Sequence, residues 1–408
     1  MVVYTGASVE VLVDKSNVLQ GVFFQDQEMR DIFSAYPELV CVDATYKLLE
    51  LRFPVYVMLV EDGNGQSEIA ATFMLLEENE ASIASMVGFF KKHNSRWESV
   101  RVLMADKDMT EREVFASAFP QAKLLICLYH TFRSFRREIV IDKMGITSGQ
   151  RNLCLDMLQQ MAYATSEEGY SDIYDRFCSC APPTVVEYVR ENWHPIHEQW
   201  VMGMKFSTGN FLNSTNNRLE CINQKLKSVI SRYSSLEEFI EKYFLILRVL
   251  RSERDQKAAL TVQKVPVTFH DATDVSLDYM KYLTPYAYQF VSKQLSFKDK
   301  VNLPEPTEDT FSVVSSEGEI KVTPTTCTCS SWLSMKLPCR HILAVRSRLN
   351  LNVFDELLCD KRWSAEYYRA SQRVFQDVEV HQSSCSFDVI ELPAPRKRTL
   401  SQVRNCNF

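Results

Sequence analysis

Short apolar runs and segments of helical spacing follow one another along residues 39–128. The runs of strand length are Leu39–Tyr46, Val55–Glu61, Ser67–Leu76, Val100–Ala105 and Lys123–Leu128. A turn cluster at Asp62–Gly65 separates the second and third runs, and helical periodicity fills Ser82–His93 and Glu111–Ala118. The order β-β-β-α-β-α-β predicts an α/β fold, a mixed sheet with helices packed on it.

The pattern changes twice after this region. It is helical from Arg133 to about Leu260, with a strongly amphipathic stretch at Leu236–Leu250, and a β-type segment with a turn at Glu317–Glu319 returns at Phe311–Thr323. We predict five regions: a lead-in at 1–38 with an amphipathic segment at Asp26–Ala35, an α/β domain at 39–260 with an all-helical insertion at about 135–215, a linker at 261–308, a small module at 309–368 and a polar tail at 369–408.

Composition narrows the class of protein. The apolar runs, such as Pro54–Val60, are far shorter than the ~20 residues that a membrane helix needs, so we expect no membrane partner. No basic segment followed by an apolar one opens the chain, and the 12 cysteines are scattered, so we expect an intracellular protein without disulfides. The net charge of −6 argues against nucleic-acid binding over the whole surface but allows a local basic patch.

Cysteine and histidine cluster near the C-terminus in the pattern C-x-C-x9-C-x-H. The residues are Cys327, Cys329, Cys339 and His341. Three thiolates and one imidazole form the ligand set of a closed, tetrahedral zinc site. The first pair follows the predicted hairpin, and the second pair lies where Pro338 precedes a helix, so one compact loop can bring them together. We therefore predict structural zinc, rather than a chance grouping among only 7 histidines.

This cluster, its hairpin and the helical stretch Ile342–Val345 resemble the SWIM zinc finger over about 40 residues. The resemblance implies a hairpin–loop–helix module with a structural metal and a role in binding DNA or protein. Local basic residues leave two interpretations open, phosphate contact or an ordinary solvated face. These residues are Lys336, Arg340, Arg346 and Arg348.

Acidic residues follow two of the predicted strands and open a later helix. Asp43 ends the first strand, Asp106 ends the fourth, and Glu220 follows the helix-capping residues Asn213–Asn217. In this strand order the first and fourth strands are typically adjacent, which places the two aspartates side by side. Three converging carboxylates can hold divalent cations such as Mg²⁺ for phosphoryl transfer. Aspartate is also common wherever strands end in turns, so ordinary turn residues are the alternative.

Several segments together resemble the catalytic domain of Mutator-like transposases over roughly residues 35–260. They are Asp43–Lys47, Ala105–Asp108, Phe119–Ala122, Cys127–His130 and Asn216–Glu220. The resemblance implies an RNase-H-like fold with a helical insertion before the last acid, and catalytic roles for Asp43, Asp106 and Glu220, with Asp108 competing for the second position. Cys127 and His130 match a C-x-x-H element, which either shapes the site or is a buried cysteine beside a satisfied histidine.

The order of the two regions resembles animal zinc-finger SWIM-domain-containing proteins thought to derive from transposases. We therefore expect a nuclear, zinc-binding factor that binds DNA, chromatin or a protein partner. No N-terminal zinc finger of the kind found in many active transposases is evident, so we expect no transposition. One alternative is an active Mg²⁺-dependent nuclease or strand transferase using Asp43, Asp106 and Glu220. Another is a protein-interaction adaptor with a vestigial acidic site.

Two further patterns are less specific. Cys178, Cys180, His194 and His197 could form a second zinc site, but the short spacers and Pro182-Pro183 favour a role in the helical core. The run Arg396–Arg398 in the polar tail is either a nuclear import signal or a solvated segment.

Overall fold

A mixed sheet of seven strands lies at the centre of the described part of the chain. The computed structural model describes residues 6–50, 53–107, 109–213, 217–263, 274–306 and 310–376. The strands are β1 (Ser8–Val13), β2 (Leu19–Gln25), β3 (Leu39–Thr45), β4 (Val55–Glu61), β5 (Ser67–Leu75), β6 (Val102–Ala105) and β7 (Lys123–Ile126). Their order is β1-β2-β5-β4-β3-β6-β7. β3, β6 and β7 run parallel, and the other neighbouring pairs are antiparallel.

Helices surround this sheet and fill the region after it. In the α/β domain, which we define as residues 8–263, they are α1 (Gln27–Ala35), α2 (Glu80–His93), α3 (Met109–Ala118), α4 (Leu128–Glu138), α5 (Ile141–Met144), α6 (Ser148–Ala162), α7 (Glu167–Cys180), α8 (Pro183–Asn192), α9 (Met202–Phe206), α10 (Asn217–Val229) and α11 (Leu236–Gln263). Polar caps start several of them: the Asp26 side chain accepts from the Met29 amide, and Asn79 does the same for Ser82. Within the described residues, no helix is both long and apolar enough to span a bilayer.

The C-terminal module, residues 311–371, follows two connecting helices. The connecting helices are α12 (Asp274–Tyr282) and α13 (Pro285–Phe297). The module contains β8 (Phe311–Ser315), β9 (Gly318–Val322), α14 (Ser330–Met335), α15 (Arg340–Arg348) and α16 (Ala365–Ser371). β8 and β9 form the antiparallel hairpin that the turn residues predict.

Both faces of the central sheet are covered, which explains its continuous apolar runs. Every residue of β4 and β5 is buried. One face packs on α1, α2 and α3, including Phe33, Phe90 and Phe115. The opposite face packs on α10 and α11, including Leu226 and Tyr243. Strands buried on both faces need apolar residues at successive positions rather than at alternate ones.

The predicted α/β fold class with its mixed sheet and many helices is confirmed, and β3 and β6 are neighbours as the strand order predicts. Two differences concern the regions expected to be a lead-in and a linker. β1 and β2 extend the sheet beside β5. In β1, the edge strand, Val9 and Val11 are exposed, so its apolar residues do not indicate a core strand in the sequence. Within 261–308, α12 and α13 bury Tyr279 and Val291 against the C-terminal module, so this stretch contributes to the core.

A segment of helices lies between β7 and α10, as the helical pattern predicts. α4 and α6–α8 pack around their own apolar core. The ring of Phe135 contacts Trp193 and Trp200, with centroid distances of 4.6 and 5.6 Å. This separate core allows a helical segment to be inserted without interrupting the sheet.

A buried arginine joins the C-terminal module to the α/β domain. Arg362 is 1% exposed, pairs with Glu38 at 3.0 Å and donates to the Glu61 carbonyl oxygen at 2.6 Å. Its guanidinium carbon also lies 3.6 Å from the ring centroid of Phe211. Because a buried charge needs both a counter-charge and hydrogen bonds, this contact requires one fixed docking position.

Gly63 lies directly beneath this junction, and we expect Gly63→Ala to destabilise the protein. The added methyl group would overlap the backbone carbonyl group of Arg362, which cannot move independently of the module. Overpacking of this kind costs about 1–3 kcal/mol of unfolding free energy, measurable by denaturant titration.

The control is Gly88→Ala. Gly88 is exposed in α2, and a methyl group there meets nothing within 4 Å. Better helix propensity should stabilise that variant by about 0.5–1 kcal/mol. Equal stability of Gly63→Ala and the unmodified protein would contradict the close approach of the two regions.

Candidate functional site

The four cysteine and histidine residues of the C-terminal module come together in space. The possible ligand atoms of Cys327, Cys329, Cys339 and His341 all lie within 4.8 Å of one another, and all four residues are buried. Nδ1 of His341 lies 3.7 Å from the Cys327 sulfur and 3.8 Å from the Cys339 sulfur. Among the described residues, this is the one group of three or more Cys, His, Asp and Glu residues that is so close. The geometry is that of a closed metal site with three thiolates and one imidazole.

Local structure fixes each of these ligands. Cys327 pairs with Val322 at the end of the hairpin, and the Cys329 amide points at the Cys327 sulfur at 3.4 Å. Cys339 caps α15, which places His341 in the first turn of that helix. The apolar cluster around β8, β9 and α15 encloses the sulfurs, and Trp332 packs against it.

The ionisation of these side chains fits a bound cation. Burial, with the neighbouring cysteines, raises the pKa of Cys339 to about 12, so several thiolates could not coexist here without a positive charge. Burial also lowers the pKa of His341 to about 4, which leaves a neutral imidazole with a free lone pair. Zn²⁺ satisfies both conditions, because it stabilises thiolates and accepts neutral histidine.

The basic residues of this module differ in their contacts. Arg346 is buried, pairs with Asp355 at 3.0 Å and donates to two backbone carbonyl groups. Arg348 pairs with Glu305 at 2.6 Å. Lys336 lies 5.7 Å from the ring centroid of Trp332. Arg346 therefore stabilises the module itself, and it is not positioned to contact a phosphate group.

The three predicted acids line a second site, the acidic pocket. Asp43 is on β3, Asp106 directly follows β6, and Glu220 is in the first turn of α10. Parallel pairing of β3 with β6 brings the first two carboxylates to the same edge of the sheet. α10 crosses nearby and donates from Asn223 Nδ2 to Asp43 Oδ2 at 2.8 Å. The structure thus brings together residues that are up to 177 positions apart in the chain.

Burial and like charge destabilise the ionised form of Asp43. Burial raises the pKa of its carboxyl group to about 6; His130 opposes this rise, and the carboxylates of Asp106 and Glu220 add to it. Oε1 of Glu220 is buried and has no hydrogen-bond partner among the described residues. Carboxylates in this state gain free energy from a nearby cation.

His130 is a basic group that lies between two of these carboxylates. Its Nδ1 is 3.9 Å from Asp106 Oδ1, and its Nε2 is 3.7 Å from Glu220 Oε1. Burial opposes the protonation of its ring, yet contact with Cys127 and the charges of Asp106 and Asp43 together raise its pKa to about 9. Of the two interpretations of the C-x-x-H element, the position of His130 in the pocket favours a part in shaping the site, with Cys127 buried beneath it at the start of α4.

Two further carboxylates and two basic residues line the acidic pocket, and sequence patterns gave no sign of them. The Tyr56 hydroxyl oxygen lies 2.6 Å from Glu78 Oε1 and 2.7 Å from Glu111 Oε1, within hydrogen-bond distance of both. Arg133 and Lys227 are lining residues of opposite charge. Glu78 lies in the loop before α2 and Glu111 lies in α3. No sequence motif marks either position.

The remaining candidates lie elsewhere. Asp108, the competitor of Asp106, and Arg396–Arg398 are outside the described residues. Cys178 and Cys180 are exposed, and they form no metal-ligand group with His194 and His197 in the described part of the chain. His194 instead stacks on Tyr174 at a ring centroid distance of 4.0 Å, which agrees with a packing role.

Models of known families match two regions of the chain. The model of the RNaseH-like domain of zinc finger SWIM domain-containing protein 1/3 matches residues 2–125. The SWIM zinc finger matches residues 301–350, which include all four clustered ligands. The chain is a SWIM-domain-containing protein. The SWIM match and the cluster together support zinc as its metal, and an origin in Mutator-like transposases is consistent with both matches.

We expect Cys327→Ser to remove zinc from this SWIM-domain-containing protein. Loss of one thiolate weakens a site whose metal stabilises the folded module, so zinc content should fall well below about one ion per chain. Elemental analysis of the purified protein measures the loss, and thermal unfolding should begin at a lower temperature.

The matched control is Cys359→Ala, a buried cysteine of the same module outside the cluster. This variant should retain its zinc. Full zinc content in Cys327→Ser would contradict the assignment of that residue as a ligand.

Proposed function

We propose that this protein is a nuclear DNA-binding factor whose acidic pocket binds a divalent cation, Mg²⁺ in the cell. One observation carries the proposal: Asp43, Asp106 and Glu220, from three separate elements, line a single pocket. Carboxylate oxygens are the ligands that Mg²⁺ prefers. We further propose that the protein carries out no transposition.

The chemistry of the donor set, three carboxylates, suits such an ion. Glu220 Oε1 has no hydrogen-bond partner among the described residues, and partial burial raises the pKa of the Asp43 carboxyl group, so a cation beside them would stabilise both carboxylates. Bound Mg²⁺ supplies positive charge for phosphate oxygens. Asp43, Asp106 and Glu220 would hold it, and Asn223 orients Asp43 through its hydrogen bond.

Basic side chains at the same pocket support DNA as the ligand. Arg133 on α4 and Lys227 on α10 line the same pocket as the three carboxylates. Phosphate contacts from lysine and arginine provide most of the sequence-independent affinity for DNA. This local basic pair is compatible with the net charge of −6, because binding depends on the surface that faces the phosphates.

Metal-dependent cleavage or transfer of DNA strands is a second candidate function. It is supported by the parallel pairing of β3, which carries Asp43, with β6, which Asp106 follows, and by Glu220 in the same pocket, because carboxylates grouped in this way can position cations for phosphoryl transfer. The adaptor alternative has separate support, because Val314 and Leu357 on the C-terminal module are 87% and 92% exposed. Exposed apolar side chains of this kind suit a protein partner.

We expect Asp43→Asn to weaken Mn²⁺ binding by about tenfold or more, because it removes one carboxylate charge from the ligand set. Isothermal titration calorimetry with Mn²⁺, a spectroscopically useful substitute for Mg²⁺, measures the affinity. Glu98→Gln, in a short helical turn outside the pocket, is the control and should bind as the unmodified protein does.

Incubation of labelled DNA with the same proteins and Mn²⁺ distinguishes the two candidate functions. Cleavage that is lost in Asp43→Asn would establish the enzymatic function. Cation binding without cleavage would exclude the enzymatic function and leave DNA binding as the function of the pocket. Equal Mn²⁺ affinity of Asp43→Asn and the unmodified protein would contradict the proposed cation site.

We expect Lys227→Ala to weaken DNA binding uniformly across sequences and to reduce the slope of log affinity against log salt by about one. Removal of one phosphate contact releases one fewer counterion. Fluorescence anisotropy with two unrelated duplexes at several salt concentrations measures both effects. Lys15→Ala, at an exposed position outside the pocket, should leave the slope unchanged. An unaltered slope for Lys227→Ala would place the DNA elsewhere.

A further inference from the structure

A strained turn lies just before the helix that carries Glu220. Phe211 and Leu212 have φ angles of +54° and +58°, in the left-handed region that large side chains rarely adopt. Asn210 stabilises the turn by donating from Nδ2 to the Asn213 carbonyl oxygen at 2.6 Å. Two such residues in succession persist only where the surroundings enforce the conformation.

The enforcing contacts come from the C-terminal module. Ser334 Oγ accepts from the Leu212 amide at 2.7 Å and donates to Asn210 Oδ1 at 2.8 Å. Ser334 is fully buried on α14, between the zinc ligands Cys329 and Cys339. Phe211 packs against the ring of Trp363 at a centroid distance of 5.3 Å. The module thus contacts both the backbone and the side chains of the turn.

A second set of contacts leads from the turn to α10. Nδ2 of Asn213 donates to Glu61 Oε2 at 2.8 Å, and Arg218 pairs with the same oxygen at 2.9 Å. Arg218 also donates to the Gly65 carbonyl oxygen at 2.7 Å. Arg218 precedes Glu220 by two residues in the first turn of α10. These bonds therefore fix the position of the start of α10, and with it the position of Glu220.

We propose that Ser334 is a positioning residue for the acidic pocket, through which the zinc-bound module holds the turn at 210–213 and thereby places Glu220. The zinc site and the acidic pocket are then energetically coupled, although they share no ligand. Loss of the Ser334 hydroxyl group leaves the partly buried Leu212 amide and the buried Asn210 Oδ1 without this partner, and the strained turn relaxes. This inference rests on the proposed cation site for its functional consequence.

The test uses the full chain and the variant Ser334→Ala. We expect it to retain its zinc, to bind Mn²⁺ about tenfold more weakly and to exchange amide hydrogens faster in residues 217–229. Residues 55–75, in the central sheet, should keep their protection. Calorimetry, elemental analysis and hydrogen–deuterium exchange measure these effects, and a general loss of stability would instead raise exchange in both segments.

Three further variants test the same set of contacts. Ser331→Ala, on the same helix but without a side-chain hydrogen bond to the turn among the described residues, should match the unmodified protein. Ser334→Thr retains the hydroxyl group and should restore most of the Mn²⁺ affinity. Asn213→Ala interrupts the path outside the module and should reproduce the effect of Ser334→Ala.

The outcomes separate this inference from the proposed function. If the unmodified protein binds no Mn²⁺ but Ser334→Ala still raises exchange in 217–229, the cation site is wrong and the coupling stands. If the unmodified protein binds Mn²⁺ and Ser334→Ala changes neither affinity nor exchange in that helix, the positioning role is overturned. Equal weakening by Ser331→Ala would also overturn it.

Discussion

The buried contact of Arg362 is the constraint on which the arrangement of this protein depends. A guanidinium group that is 1% exposed needs a counter-charge and hydrogen-bond acceptors nearby. Glu38 supplies the charge and the Glu61 carbonyl oxygen accepts a hydrogen bond, so the C-terminal module has one favourable position on the α/β domain. Trp363 and Phe211 then pack beside it, which brings the zinc-bearing segment against the turn before α10.

The acidic pocket shows the opposite balance, because its charges are only partly compensated. Asp43 is half-buried near other carboxylates, and His130 is a basic group placed between Asp106 and Glu220. Such a cluster opposes folding unless a cation or a partner relieves it. The cost persists because β3, β6 and α10 are fixed by apolar packing on both faces of the sheet. The apolar packing of the core therefore stabilises an arrangement of charges that is unfavourable by itself.

The two metal-related sites differ in what holds them together. The zinc ligands lie within 15 residues, on a hairpin end and a helix start, so local structure with the ion can assemble them. The three acids come from distant segments and need the complete sheet and α10. The bonds of Ser334 to the turn at 210–213 give a physical route by which the local site stabilises the distant one.

The sequence by itself determined the features that depend on short-range pattern. Short apolar runs and the 3.6-residue period predicted the strands and helices between 39 and 128, and the C-x-C-x9-C-x-H spacing predicted the clustered cysteines and histidine. The strand order predicted that the strands leading to Asp43 and Asp106 would be neighbours. Only the tertiary structure placed His130, Glu78 and Glu111 in the acidic pocket and turned Ser334 toward Asn210. Those contacts depend on how separate elements dock. Docking is decided by buried polar contacts such as those of Arg362, and no periodic pattern in the sequence indicates such contacts.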